Sequence, residues 1–171
     1  MIKKEKLISE YLKGLTPKDV LDIGCGNGKI SLMFIKRGAN VTGIDKKKKP
    51  FTNKKFKFIR CGIGDFNFEK EYDVIIASLV LHFLNKSEAN RIIKKIKGYT
   101  QTGGHNFIIC FSKRDSSYKK GKFYPNLSEL KKVYSDWKII KHVQGFMPVG
   151  RHDNLAPHSH NIIFLLAKKV S

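Results

Sequence analysis

Residues 20–28 read Val-Leu-Asp-Ile-Gly-Cys-Gly-Asn-Gly: an apolar stretch, a carboxylate at Asp22, then glycine at three alternate positions, Gly24, Gly26 and Gly28. Glycine tolerates positive φ and lets the main chain approach a ligand closely, which suits a loop that holds a nucleotide where a strand turns into a helix. The dinucleotide fingerprint G-x-G-x-x-G requires glycine at position 29, where Lys29 stands, so the spacing argues against a nicotinamide cofactor. A second carboxylate, Asp45, follows Gly43-Ile44. Further on, His82 lies in the apolar run Ser-Leu-Val-Leu-His-Phe-Leu at 78–84. A neutral imidazole there can accept a proton from a substrate, although a lone histidine among Leu81, Phe83 and Leu84 is more often a satisfied core residue. Arg151, His152, His158 and His160 cluster before the last apolar run. Arg151 is the better anion ligand because its charge does not depend on pH. His-x-His offers two metal ligands where zinc takes three or four from protein, so no metal site is expected.

Positioning these groups requires an alternating α/β chain. Apolar residues recur at helical spacing over 5–15, 29–37 and 87–99, with Ser87 as the expected N-cap of the last. Short apolar strands are predicted at 19–24, 41–45, 57–61, 73–77 and 106–111. Asn126 followed by Glu129 has the form of a capping box for a helix over 127–134, after which 137–143 and 161–168 read as two strands in succession. Five alternating βα steps and a closing β-pair predict a mostly parallel seven-stranded sheet with one antiparallel strand and helices on both faces. Ligands in such sheets bind at the carboxyl ends of the strands where strand order reverses, here between the first and fourth strands. Only residues 46–55, with Pro50 among them, join the second strand to the third. A parallel crossover normally needs a dozen or more, so the helix there is expected to be shortened or missing, replaced by a lysine-rich loop.

The pattern D-x-G-x-G-x-G after a strand resembles the cofactor motif of class I S-adenosylmethionine-dependent methyltransferases, with their Rossmann-like fold, and Asp22, Gly24, Gly26 and Gly28 match it. Asp45 matches the acid that in this family grips both ribose hydroxyls. The resemblance implies S-adenosyl-L-methionine as methyl donor, with Cys25 and Lys46 beside it, and with Asp22 and glycine carbonyls facing the amino group of its methionine part. It implies Ile63 against the adenine, with Gly62 where an acid usually stands and Asp65 as the substitute. It also implies Ser78, Leu79 and Val80 along the methionine portion, and His82, Arg151 and His152 on the acceptor side. Residues 102–108, the run Glu-Leu-Lys-Lys-Val-Tyr-Ser-Asp-Trp at 129–137 and the closing 165–169 are similar to the tellurite-resistance (TehB-type) methyltransferases, over nearly the whole chain from Lys18 onward. A single methyltransferase domain over 1–171 follows, with an N-terminal helix in 1–17, a cofactor-binding part at 18–111 and a substrate-side part at 112–171. Because the part before the first strand is one short helix, the substrate lid is expected to be small.

Composition speaks to partners. The formal net charge is +20, from 34 basic against 14 acidic residues, and nearly all of the excess is lysine. Such a field concentrates anions, including the small oxyanions, tellurite and selenite, that the family resemblance implies as acceptors. It also admits an RNA or ribosome substrate steered by Lys46 to Lys49 and Lys119 to Lys122, although arginine, favoured for bidentate phosphate contacts, is scarce. A cofactor-binding module without activity is a third reading, to which Gly62 at the acidic slot lends support. No apolar run approaches the roughly 18 residues a membrane helix needs, and three scattered cysteines form no C-x-x-C pair, so a cytoplasmic protein with reduced thiols and no membrane partner is expected.

Overall fold

The structure is a computed structural model, and it describes residues 1–150 and 157–171. In chain order the elements are α1 (Lys4–Leu12), β1 (Asp19–Ile23), α2 (Lys29–Ile35), β2 (Asn40–Asp45), β3 (Phe56–Arg60), β4 (Tyr72–Ser78), a 3-10 turn (Leu81–Phe83), α3 (Lys86–Gly98), β5 (Thr100–Phe111), α4 (Leu127–Val133), β6 (Lys138–Phe146) and β7 (Asn161–Lys168). The seven strands form one sheet in the order β3-β2-β1-β4-β5-β7-β6. Neighbours are parallel except at β7, which runs antiparallel to both β5 and β6. The chain moves outward from β1 to β3 and returns to the far side of β1 at β4, so the predicted reversal lies between β1 and β4.

Among the described residues, each face of the sheet carries two α-helices. Ile8, Leu12, Ile30 and Phe34 of α1 and α2 pack on one face with Val20, Val41 and Ile76. On the other, Ala89, Ile92, Ile93 and Ile96 of α3 and Leu130 of α4 pack with Leu21, Ile75 and Ile108. The four α3 positions fall on one helical stripe, and full burial of an aliphatic side chain contributes about 1.5–3 kcal/mol, so packing rather than intrinsic propensity holds this helix.

Two crossovers lack a helix among the described residues. Between β2 and β3 that matches the expectation from Pro50, and Phe51 takes the place of a helix by stacking on Phe56 at 4.4 Å between ring centroids. Between β3 and β4 it departs from the predicted regular alternation. Phe66 and Phe68 alternate along this segment rather than recurring at helical spacing, and both are buried, Phe66 against Phe68 at 4.9 Å and Phe68 against Tyr99 at 5.0 Å. Two further expectations are corrected. The N-cap of α3 is Asn85 and not Ser87: Asn85 accepts from the Glu88 N–H, and Glu88 accepts from the Asn85 N–H. The fifth strand begins at Thr100, well before residue 106, because the chain passes through Gly103 and Gly104 as an irregular strand with a register shift opposite Tyr72 and Val74. At Gly104 a Cβ would lie 2.8 Å from the Asp73 carbonyl oxygen, so the backbone approach there excludes a side chain.

Candidate active site

The loop after β1 is pinned from both sides. Gly24 and Cys25 both donate their N–H to the Ile44 carbonyl of β2, at 2.8 and 3.0 Å, and Gly28 N–H closes a turn on the Cys25 carbonyl at 2.8 Å. Gly24 and Gly28 have φ of 70° and 72°. A Cβ on Gly24 would lie 2.7 Å from a Val80 methyl, and one on Gly28 would lie 2.2 Å from the Phe51 ring. Glycine is therefore required twice over, by conformation and by contact. The Cys25 thiol is buried beneath the loop beside Gly43, and burial pushes it up to about 12. Only its backbone is left to face a ligand.

Two carboxylates flank this loop in different environments. Asp45 ends β2 half-buried, and its oxygens accept the N–H groups of Gly26 at 2.9 Å and Lys47 at 2.8 Å. Each carboxylate oxygen has a further lone pair, so Asp45 keeps acceptor capacity for a diol. Asp22 is buried and accepts the Ser31 hydroxyl of α2 at 2.6 Å. Burial raises it to about 6, against the opposing pull of Ser31 and of the nearby Lys4 ammonium. Lys4, itself lowered by burial, reaches from α1 to donate to Ser78 Oγ at 3.3 Å. Beyond Ser78, Leu79 has φ of 54°, the single non-glycine residue with positive φ among the described residues. Such a conformation costs roughly 1–2 kcal/mol in a side-chain-bearing residue and recurs at functional sites.

The segment after β3 brings Asp65 to Gly62. The Asp65 N–H donates to the Gly62 carbonyl at 3.1 Å, and a Cβ on Gly62 would lie 2.6 Å from Asp65 Oδ2 and 2.7 Å from Lys46 Cε. The space that a side chain at 62 would take is thus filled by Asp65 and Lys46. Ile63 packs partly buried against the core beside them.

On the other side of the crevice, the His82 ring lies against Phe83 at 4.2 Å and Phe111 at 4.4 Å. Its buried Nδ1 has no hydrogen-bond partner among the described residues, and burial lowers its pKa to about 4, so the ring is neutral near pH 7. Phe111, at the end of β5, also stacks His160 at 4.3 Å. His160 Nδ1 stands 3.1 Å from both oxygens of Asp115, and His158 Nε2 stands 3.0 Å from His160 Nε2. Asp115 is buried; it also accepts the N–H of Asn161 at 2.6 Å and both the N–H and the hydroxyl of Ser117. Burial alone would raise Asp115, but these hydrogen bonds hold it below the usual carboxylate range. Sequence reading singled out His158 and His160 but missed Asp115, which lies 45 residues from His160 and carries no motif. Arg151 and His152 lie outside the described residues.

A sheet that reverses between β1 and β4, alternate glycines after β1 and an acid ending β2 together define a class I methyltransferase fold. Within that class, the family model described as tellurite resistance protein TehB matches residues 2–156, and the chain belongs to this family. It is 30% identical over 157 residues to the probable S-adenosyl-L-methionine-dependent methyltransferase TehB of Haemophilus influenzae, an alignment covering 85% of this chain and 55% of that protein. The crystal structure of TehB from Haemophilus influenzae superposes with a TM-score of 0.82 at 26% identity, covering 98% of this chain and 62% of the other. The N-methyltransferase NodS from Bradyrhizobium japonicum WM9, solved with S-adenosylhomocysteine, shares the fold at a TM-score of 0.74 and 16% identity, over 98% of this chain and 85% of NodS. The chain thus spans little more than half the length of the Haemophilus sequence it matches. No helix among the described residues is long and apolar enough to cross a membrane.

Proposed function

We propose that this chain is an S-adenosylmethionine-dependent methyltransferase acting on a small-molecule acceptor. The observation that carries the reading is Asp45, fixed by the Gly26 and Lys47 N–H groups beside a loop where Gly24 and Gly28 admit no side chain. These residues fit the cofactor: Asp45 would hold the ribose hydroxyls, Ile63 and Asp65 the adenine, and Asp22 with Ser78, Leu79 and Val80 the methionine portion. The bound cofactor supplies a methyl group already activated on a sulfonium, so the chain's own residues need mainly orient the acceptor and exclude water. The strained Leu79 and the aromatic contacts of His82 with Phe83 and Phe111 support a role in that orientation.

For the acceptor, the family match and the net charge of +20 favour a metalloid oxyanion such as tellurite or selenite. Calorimetric titration with S-adenosylhomocysteine tests the donor half; no heat above dilution for the wild-type chain would sink the reading. Transfer of labelled methyl groups to selenite and tellurite tests the acceptor half. Label appearing in RNA with both oxyanions left unmodified would move the acceptor to nucleic acid.

A further inference from the structure

We infer that a cavity between α3, α4 and the segment 113–125 is a second small-molecule site, and that it takes an amphipathic organic anion: an aromatic body bearing a carboxylate or a phosphate. The cavity measures about 500 Å³, within the range of sites that enclose a ligand of that kind. None of the described residues that line it belongs to the loop at 24–28, to Asp45 or to the segments 62–65 and 78–80, so it is apart from the cofactor cradle. The site therefore stands on its own lining and does not depend on the methyltransferase reading.

Its floor is apolar and its walls are tied. Leu130 and Val133 come from one face of α4, and Phe123 and Tyr124 from the segment opposite. Phe123 N–H donates to the Leu84 carbonyl at 3.0 Å, and the Tyr124 hydroxyl donates to the Ser117 carbonyl at 2.9 Å. The box of Asn126 and Glu129 fixes the first turn of α4. A cavity held in this way loses little conformational freedom when a ligand enters. At its mouth Tyr118 is 48% exposed and meets Tyr124 in an edge-to-face contact at 5.5 Å between centroids. An exposed ring beside an apolar floor offers an aromatic body a surface to pack on.

The lysines set the sign of the ligand. Lys86 of α3, Lys113 and Lys122 of the segment after β5, and Lys132 of α4 line the cavity together with one carboxylate, Glu129. Glu129 Oε1 lies 3.0 Å from Lys113 Nζ and 3.9 Å from Lys86 Nζ, so two ammonium groups share one negative charge. Lys122 Nζ donates to the Phe83 carbonyl at 2.9 Å, a neutral partner that fixes the side chain and leaves its charge in place. Four lysines against one glutamate give the lining an excess of three positive charges. A neutral ligand does not answer that excess, whereas a carboxylate or phosphate does, through charge-assisted hydrogen bonds. Lysine is a compact charge with three donors and suits either head group.

Carbon–proton NMR spectra of the methyl groups, recorded as the wild-type chain is titrated with cinnamate, phenyl phosphate and the neutral cinnamamide, test the site. Saturable shifts at Leu130 and Val133 are expected with at least one anion, bound at least about tenfold more tightly than the amide, the scale of one charge-assisted hydrogen bond. Saturation by cinnamate alone or by phenyl phosphate alone supports the site and selects the head group. Lys86→Met and Lys122→Met combined should weaken that anion at least about tenfold and leave the amide within about threefold. Both lysines are exposed, so the urea midpoint should stay at that of the wild type. Lys132→Met, a single change at an exposed position of α4, makes the same comparison should the double variant unfold. No saturation by either anion at millimolar concentration, an amide that binds as tightly as the anions, or anion affinity unchanged in the lysine variants would overturn the proposal. Saturating shifts confined to Leu79 and Val80 would overturn it as well, because the probe would then sit in the cofactor cradle.

Discussion

The two sides of the crevice are built by opposite means. Around β1 and β2 the site is main chain: four N–H groups, two on the Ile44 carbonyl and two on Asp45, shape a loop in which glycine leaves room for Val80 and Phe51. Beyond β5 it is side chain: a carboxylate, three imidazoles and aromatic rings brought together from His82, Phe111, Asp115 and the approach to β7. A surface made of backbone suits a constant ligand, whereas one made of side chains can be re-cut for another acceptor without disturbing the fold.

The sharpest way to break this comparison is to add one methyl group to the main-chain side. Gly28→Ala forces a side-chain-bearing residue into φ of 72° and drives its Cβ to 2.2 Å from the Phe51 ring. Left-handed backbone costs roughly 1–2 kcal/mol and overpacking about 1–3 kcal/mol, so urea unfolding should register a loss of about 2–5 kcal/mol. In a double-mutant cycle with Phe51→Ala the two changes should couple by about 1 kcal/mol or more. An unchanged unfolding midpoint for Gly28→Ala would mean that the loop is not held as described.

Next in size is Asp45. Hydrogen bonds to a charged group contribute about 1.5–3 kcal/mol each, so losing two to a bound ribose should weaken S-adenosylhomocysteine at least about 100-fold in Asp45→Ala. Asp45→Asn, which keeps one acceptor oxygen, should fall between. Calorimetric affinity of the alanine variant within threefold of wild type would remove Asp45 from the cradle.

These two effects fall on the side that was legible in the sequence, and the reason is local. Asp22, Gly24, Gly26 and Gly28 lie within seven residues, and Asp45 comes one crossover later on the neighbouring strand, so spacing alone places them together. The centre of the sheet was legible for a related reason: β1, β4 and β7 are short, largely buried runs whose pattern needs no distant partner. The Asp115–His160 pair spans 45 residues and exists only because Ser112 meets Asn161 where β5 pairs with β7. The missing helix in the crossover before β4 escaped notice because glycine and alternate phenylalanines give weak local signals. Their meaning comes from the α3 face and Tyr99, which they cover.

Acidity separates the two carboxylates of the cradle. Asp22 is raised to about 6 by burial, so it is protonated over part of the accessible range and loses its attraction for an ammonium group as pH falls. A bound ammonium favours the ionised form, so affinity for S-adenosylhomocysteine should be flat above about pH 7 and decline below about 6, by at most tenfold per pH unit. Asp22→Asn should bind more weakly and lose that inflection. A wild-type affinity constant from pH 5 to pH 8 would exclude Asp22 from contact with the amino group.

The smallest effects come from the starts of α3 and α4, which pack on the same face of the sheet. In α4 the box read from Asn126 and Glu129 is formed in both directions at 2.8 Å. In α3 the same device uses Asn85 and Glu88, at 2.8 and 2.9 Å, where sequence reading chose Ser87. The spacing could have decided it, since the residue three beyond Ser87 is Asn90, which cannot return the bond as Glu88 does. Loss of an N-cap costs about 1 kcal/mol, so Asn85→Ala and Asn126→Ala should each lower stability by that amount. Ser87→Ala should stay within about 0.5 kcal/mol of wild type, as surface substitutions outside such features do. A larger loss for Ser87→Ala than for Asn85→Ala in urea unfolding would return the cap to Ser87. It would also shift the start of α3, and with it the 3-10 turn that carries His82.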